Sequence, residues 1–405
     1  MSAPILLDLT HTSHTRARTG VQRVARALWR EWNGEALPVC HDPYERAWRR
    51  LDRWEIRNLE NAVPSANRKA RWPLRFRLRG WLKRLGRGGR KGSRLGFEPM
   101  GSFFCPEIFS PAVARALPEI FAAAAGPRAA MFHDAAALQF PELTPAKTVG
   151  RYPAYLRELL CFDGIAAISE ESRDALVDYW RWLGVRDTPP VVAIVPGVDL
   201  PIPAFPARSP ESPRRRSPPA SEDGPAVLYV STIEGRKNHL ALLDACELLW
   251  SGGLAFELRL IGLIHPRTGR AAGEKIKRLR RAGRPLRYDG AVDDSVLESA
   301  YAACAFTVYP SLAEGFGLPI AEGLARGKPC VCFGRGAAGE LARGGGCLAI
   351  DDLSPAGIAE AIGRLLRSPA ELAVLAAAAR GRLVRTWGHY ARDLTAWLQT
   401  LPRRD

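Results

Sequence analysis

Residues 309–329 read Tyr-Pro-Ser-Leu-Ala-Glu-Gly-Phe-Gly-Leu-Pro-Ile-Ala-Glu-Gly-Leu-Ala-Arg-Gly-Lys-Pro. The apolar run 305–308 before them predicts a buried strand, Pro319 can open a helix and Gly327 can close it. A strand, a glycine-bearing loop and a helix N-terminus together make an anion site, with Gly315 and Gly317 letting backbone approach a ligand closely. Glu314 stands before the glycines, and Glu322 is expected in the first helical turn. A turn of this kind also occurs in many α/β proteins, where an acid in the first turn merely offsets the helix dipole. The neighbouring segments have to decide.

Outward from this turn, the second half alternates strand and helix. Strands are predicted at 226–230, 256–261, near Leu286, at 305–308, 330–333 and 347–350. Helices are predicted at 238–250, 271–282, 294–303 and 319–326, with a glycine-rich stretch at 334–346 and two Ala/Leu-rich helices to the end. The first half reads likewise, with strands at 5–9, 37–40, 129–132, 165–168 and 191–195. Its helices are expected at 21–30, 111–125, 148–161 and 170–183, the last capped by Ser169. Strands separated by helices imply parallel sheets covered on both faces, with ligands at the carboxyl ends of the strands. The fold class is therefore α/β, with two doubly wound Rossmann-like domains facing a central cleft. Their bounds are 1–200, with a basic insertion at about 45–110, and 226–385. A Pro/Arg-rich linker at 201–225, containing Arg214-Arg215-Arg216, joins them, and a last helix at 386–405 is expected to pack back on the first domain.

After the first strand of the second half comes Ser231-Thr232-Ile233-Glu234-Gly235-Arg236-Lys237-Asn238. Adjacent cations at a strand's carboxyl end suit a diphosphate, with Arg236 forking two oxygens and Lys237 acting as a point charge. A solvated Arg-Lys pair is the plainer alternative. In the first half, Gly20 lies between the first strand and helix, and His133-Asp134 follows the strand at 129–132. His133 is either a donor at that sheet edge or a core histidine.

The chain has 405 residues and carries 58 Lys and Arg against 42 Asp and Glu, a formal charge of +16 that points to anionic partners. Much of the excess lies in residues 68–94, with twelve Lys or Arg, no acid, and Trp72, Phe76 and Trp81 interleaved. Leu74, Leu78, Trp81, Leu82 and Leu85 recur at helical spacing, leaving Arg75, Arg79, Lys83 and Arg84 on the remaining faces. Such a helix fits an anionic membrane surface or lipid-linked acceptor, a solvated face packed on the domain, or nucleic acid. No recognisable nucleic-acid motif accompanies it, so no nucleic-acid partner is expected. The eight cysteines are dispersed and no pair has zinc-ligand spacing, which reads as reduced core residues in a cytosolic protein. The N-terminus lacks a basic n-region and reads as a first strand, not a signal peptide. No apolar run is long enough to span a bilayer, so membrane contact would be peripheral, on the inner face of the cytoplasmic membrane.

The run Glu314-Gly-Phe-Gly-Leu-Pro-Ile-Ala-Glu322 resembles the retaining glycosyltransferases of family 4, which have the GT-B fold. The turn Arg236-Lys237-Asn238, residues 290–295, His133-Asp134, Ser169-Glu170 and residues 196–199 share the resemblance. It implies that Glu322 accepts from the ribose of a nucleotide-sugar donor and Glu314 from the sugar hydroxyls. Arg236, Lys237 and the backbone N–H groups of Gly317 and Leu318 would hold the diphosphate. Gly315, Phe316 and Asn238 would complete the donor site, and Val292 would meet the base through its backbone. From the first domain, His133 would face the sugar, and Gly20 would let the loop close over the phosphates. Ser231 stands where these enzymes usually have Gly, Gly235 where Pro is common, and Gly20 lacks a second glycine. No Asp-x-Asp motif precedes a phosphate site, so Arg and Lys are expected to replace Mg²⁺, with no metal or other cofactor. The expected activity is retaining transfer of a hexose to a glycan or lipid-linked acceptor in surface polysaccharide synthesis. Arg-Lys-Asn-His at 236–239 is similar to transferases using GDP-mannose. The alternatives are a nucleotide-sugar hydrolase or epimerase, and a catalytically silent GT-B scaffold.

Overall fold

The computed structural model describes residues 3–60, 70–86, 101–199 and 224–404. Most of the insertion at 45–110 that lies beyond residue 86, and nearly all of the linker at 201–225, fall outside the described residues. The chain divides into two compact units, one of Met1–Ala135, Gly150–Gly197 and Trp387–Asp405, the other of Ala136–Val149 and Val198–Thr386.

The first unit is built on strands β1 (Ile5–Asp8), β2 (Ala36–Asp42), β3 (Ala47–Arg50), β4 (Phe103–Cys105), β5 (Arg128–Phe132), β6 (Gly164–Ala167) and β7 (Val191–Ala193). They form one sheet in the order β3-β2-β1-β4-β5-β6-β7, parallel throughout except for β3 against β2. β4 and β6 are buried along their whole length, as parallel strands covered on both faces must be. The helix Glu170–Trp182 starts where expected, with Ser169 Oγ accepting from the Ser172 N–H at 3.0 Å. The helix Trp387–Thr400 packs on the helix Gly20–Glu31, where Trp32 Nε1 donates to Thr395 Oγ1 at 3.0 Å.

The second unit holds β8 (Ala226–Val230), β9 (Glu257–Ile261), β10 (Leu286–Tyr288), β11 (Phe306–Tyr309), β12 (Cys330–Phe333) and β13 (Cys347–Ile350). All six are parallel in the order β10-β9-β8-β11-β12-β13. The strand order reverses between β8 and β11, which makes their carboxyl ends the crevice where doubly wound sheets take ligands. Val227, Tyr229, Leu258, Phe306 and Val308 join Leu242, Ile320, Ile358 and Ile362 from the covering helices in one core. Each fully buried aliphatic side chain there contributes about 1.5–3 kcal/mol.

Several expectations need correction. β3 and β4 were not anticipated, because Arg49 and Arg50 in β3 read as surface residues and β4 is only three residues long. The glycine-rich stretch 334–346 contains a helix, Gly336–Ala342, and three helices rather than two close the chain: Pro355–Arg367, Pro369–Arg380 and Trp387–Thr400. All eight cysteines are free, but Cys161 is exposed rather than in a core.

Candidate functional site

The helix after β11 runs from Leu318 to Ala325 with Pro319 in its first turn. Gly317 precedes it at φ +94°, a left-handed conformation that L side chains rarely adopt. Gly327, at φ +68°, ends it in a Schellman arrangement. There the Lys328 N–H reaches the Gly323 carbonyl and the Gly327 N–H reaches the Leu324 carbonyl, both at 2.9 Å. Glu322 therefore lies in the second turn, not the first, and it is 4% exposed. Its place and burial rule out simple dipole compensation. Tyr301 Oη donates to Glu322 Oε2 at 3.3 Å and also to the Pro319 carbonyl, while Arg326 stacks on the Tyr301 ring.

The loop after β8 meets the loop after β11 directly. Leu312 N–H donates to the Arg236 carbonyl at 2.8 Å, and Arg236 Nη1 donates to the Ala313 carbonyl at 3.0 Å. Lys237 Nζ lies 2.5 Å from Glu314 Oε2. Arg236 Nε pairs with Glu234 at 2.9 Å, and Arg236 Nη1 stands 4.0 Å from Glu314. Beneath them Tyr229 Oη donates to the Lys237 carbonyl at 2.7 Å and lies 3.3 Å from Ser311 Oγ. Burial alone would raise the Glu314 carboxyl, but the Lys237 and Arg236 cations outweigh it and hold it below the usual carboxylate range. Burial and the Arg236 charge pull the Lys237 ammonium down, and Glu314 opposes them. The Arg-Lys pair is thus no solvated surface pair. A buried carboxylate and two cations, with glycine backbone beside them, can bind a diphosphate and a hydroxyl-bearing group together.

Residues 224–368 match the family model of the glycosyl transferases group 1. The second unit carries a group 1 glycosyl transferase domain. Over 107 residues, 26% of this chain, the sequence is 40% identical to O-antigen chain mannosyltransferase B of Escherichia coli, covering 28% of that protein. It is 22% identical over 340 residues, 81% of this chain, to the serotype-specific mannosyltransferase WbdA of Escherichia coli, covering 38% of it. The chain thus spans well under half the length of either relative. Among solved structures, Anabaena Alr3699/HepE in complex with UDP-glucose superposes with a TM-score of 0.69 at 18% identity, over 99% of this chain and 100% of that one. Sucrose-phosphate synthase from Thermosynechococcus elongatus gives a TM-score of 0.65 at 17% identity, over 99% of each chain. The fold is that of the GT-B glycosyltransferases.

Within the group 1 domain, the expected residues Arg236, Lys237, Glu314, Gly315, Phe316, Gly317, Leu318 and Glu322 belong to the two loops and one helix at the β8/β11 reversal. Asn238 also lies there, in the left-handed region at φ +55°, with Nδ2 donating to the Leu353 carbonyl at 3.1 Å. Val292 packs beside Leu228, Ile261 and Tyr301. Tyr229, Tyr301 and Ser311 went unnoticed in the sequence. A strand tyrosine reads as core, and only the fold reveals which carbonyl or carboxylate its hydroxyl meets.

In the first unit, His133 follows β5 and is 4% exposed, with Nε2 donating to the Pro106 carbonyl at 2.7 Å. Burial lowers its pKa, so the ring is a neutral imidazole held by backbone. Gly20 opens its helix and is exposed. The strand order reverses here between β1 and β4, and the loops that follow them are joined by Glu107. Its carboxylate accepts from the His11 and Thr12 N–H groups, each at 2.7 Å. Burial and Glu107 push Asp8, at the end of β1, up to about 7. This pair of acids had no signal in the sequence, since nearly a hundred residues separate them.

The basic helix is Leu74–Gly86. Phe76 stacks on Trp54, and Trp72, just before the helix, stacks on His14. Gly80 is buried against Tyr44 and Glu45. Leu74, Leu78, Trp81, Leu82 and Leu85 point the other way and are 50–76% exposed. Two of the expected surface cations are already paired, Arg79 with Asp52 at 2.7 Å and Lys83 with Glu45 at 3.7 Å. Arg75 lies over the Phe76 ring, and Arg84 is exposed. Among the described residues, no helix is long and apolar enough to cross a membrane.

Proposed function

We propose that this chain is a retaining glycosyltransferase that moves mannose from GDP-mannose to a glycan or lipid-linked acceptor in surface polysaccharide synthesis. The observation that carries the reading is the Lys237–Glu314 pair at the β8/β11 reversal, inside a group 1 domain. The 40% identity to a mannosyltransferase supports the choice of sugar.

In this reading Glu322, oriented by Tyr301, accepts from the ribose, and the backbone at Val292 meets the base. Glu314 accepts from sugar hydroxyls. Arg236, Lys237 and the N–H groups of Gly317 and Leu318 take up the charge of the departing diphosphate, a role that other transferases give to a metal ion. The bond from the anomeric carbon to the diphosphate breaks, and the acceptor hydroxyl oxygen bonds to that carbon on the same face. The hydroxyl proton passes to the leaving diphosphate. Thermal-shift titration with GDP- and UDP-sugars tests the donor. A rise specific to GDP-mannose supports the reading, and no response to any nucleotide sugar overturns it.

The partner of the basic helix is an anionic membrane surface. An apolar stripe turned away from its own domain and flanked by Arg75 and Arg84 is the pattern of an interfacial helix. Vesicles containing anionic lipid are expected to sediment the protein, and replacing Leu78, Trp81 and Leu85 by Gln should weaken binding at least tenfold. Each lost apolar contact removes about 1 kcal/mol or more. Equal sedimentation of the variant would contradict this role.

A further inference from the structure

Three cysteines that the sequence scatters meet at one edge of the second unit. Cys330 and Cys332 lie two residues apart on β12, so both project from one face of the sheet. β13 is the sheet's edge strand, and its register sets Cys347 directly beside Cys330. The three Sγ atoms all lie within 4.8 Å of one another. Cys330 and Cys332 are fully buried and Cys347 is half-buried, which leaves a path from solvent at the edge strand.

We propose that Cys330, Cys332 and Cys347 form a three-thiolate site for one soft metal ion of the Zn²⁺ or Cu⁺ class, which clamps β13 to β12. Thiolate-rich sites select such ions. With a metal–sulfur distance of about 2.3 Å, three sulfurs around one ion stand about 4.0 Å apart. The observed spread needs under about 1 Å of adjustment to reach that.

The charge around the cluster suits the same chemistry. Arg382 is fixed beside it, with Nη1 donating to the Leu341 carbonyl at 2.9 Å and to the Gly345 carbonyl at 2.8 Å, two residues before Cys347. Binding a divalent ion releases the thiol protons, and the Arg382 guanidinium offsets the net negative charge of the complex. Cys246, by contrast, is a buried free cysteine of the same unit that lies outside the cluster.

The test titrates the full-length, reduced protein with Cd²⁺ under anaerobic conditions and follows the ultraviolet thiolate-to-cadmium charge-transfer band. One equivalent is expected to saturate it, at an intensity matching three thiolates, and to raise the melting temperature. Loss of an outer-shell partner costs a metal site about 10–100-fold in affinity, so Cys347→Ala, which removes a ligand, should weaken binding on the order of 100-fold or more. Cys330→Ala should do the same, whereas Cys161→Ser and Cys246→Ala should leave the band unchanged. A band that survives Cys347→Ala and Cys330→Ala overturns the assignment. So does recovery of a Cys330–Cys347 disulfide in place of bound metal after purification in air.

Discussion

Replacing Lys237 by Met is expected to lower kcat/KM for transfer by about 10²–10³-fold, the contribution of one preorganised donor to a developing anion. Met keeps an unbranched stem of nearly the same length and removes the ammonium, with its charge and its N–H donors. The loss should appear mainly in kcat, because the diphosphate carries more charge as it leaves than in the bound donor. The same substitution removes the 2.5 Å partner of Glu314 and leaves Arg236 Nη1, at 4.0 Å, as the nearest cation. Uncompensated buried carboxylates are costly, so the variant should lose about 3 kcal/mol of stability, the low end for a broken buried pair. Adding Glu314→Gln should recover most of that stability and none of the activity. Urea denaturation and initial rates on the two variants separate these effects. Recovery of activity in the double variant would mean that the pair only holds the two loops together.

Arg49→Met is expected to destabilise the first unit by about 3–5 kcal/mol. Arg49 is buried, with Nη1 and Nη2 each 2.8 Å from Glu55 and Nε 3.0 Å from Asp42. Glu55, which has no solvent exposure, also lies 2.7 Å from His14 Nε2. Burial would raise the Glu55 carboxyl, but its bonds to Arg49 and His14 prevail and lower it to about 2. A carboxyl whose folded pKa is depressed contributes stability in full above its unfolded value of about 4.5 and loses it as pH falls toward 2. Without Arg49 the sign reverses. The buried Glu55 is then easier to protonate when folded, so the gap between wild type and variant should narrow as pH falls from 7 to 4. A constant gap across that range would show that lost packing, not charge, dominates. The same network anchors the basic helix, since His14 stacks on Trp72 with ring centroids 3.7 Å apart. Vesicle binding should therefore weaken in parallel with unfolding of this region.

The second unit was legible in the sequence because its strands are short, apolar and separated by well-marked helices. The strands at 226–230, 330–333 and 347–350 were placed to the residue, and the strand-loop-helix turn after β11 announced itself through Gly317, Pro319 and Gly327. β3 was hidden because Arg49 within it is buried by carboxylates, which no hydropathy pattern reports. The helix Gly336–Ala342 was hidden by glycines that weaken the helical pattern without abolishing the helix. Residue types in the site were readable, but their pairing was not. That Lys237 reaches Glu314, that Tyr301 reaches Glu322, and that Cys347 joins Cys330 and Cys332 all depend on strand order and register. The apolar stripe on Leu74–Gly86 was visible as a period, whereas the loss of Arg79 and Lys83 to internal ion pairs needed their partners' positions.

The proposed donor site at the β8/β11 reversal is tested most directly by melting wild type and Lys237→Met side by side with GDP-mannose, GDP, UDP-glucose and UDP. A ligand at a hundred times its Kd stabilises the folded state by about 2.7 kcal/mol. For a unit of this size that is a rise in melting temperature of roughly 5–11 °C. The expected result is such a rise for wild type with GDP-mannose, a smaller one with GDP, and a marked reduction of both in Lys237→Met. A wild type that responds to no nucleotide or nucleotide sugar, or a variant that responds as strongly as wild type, would contradict it.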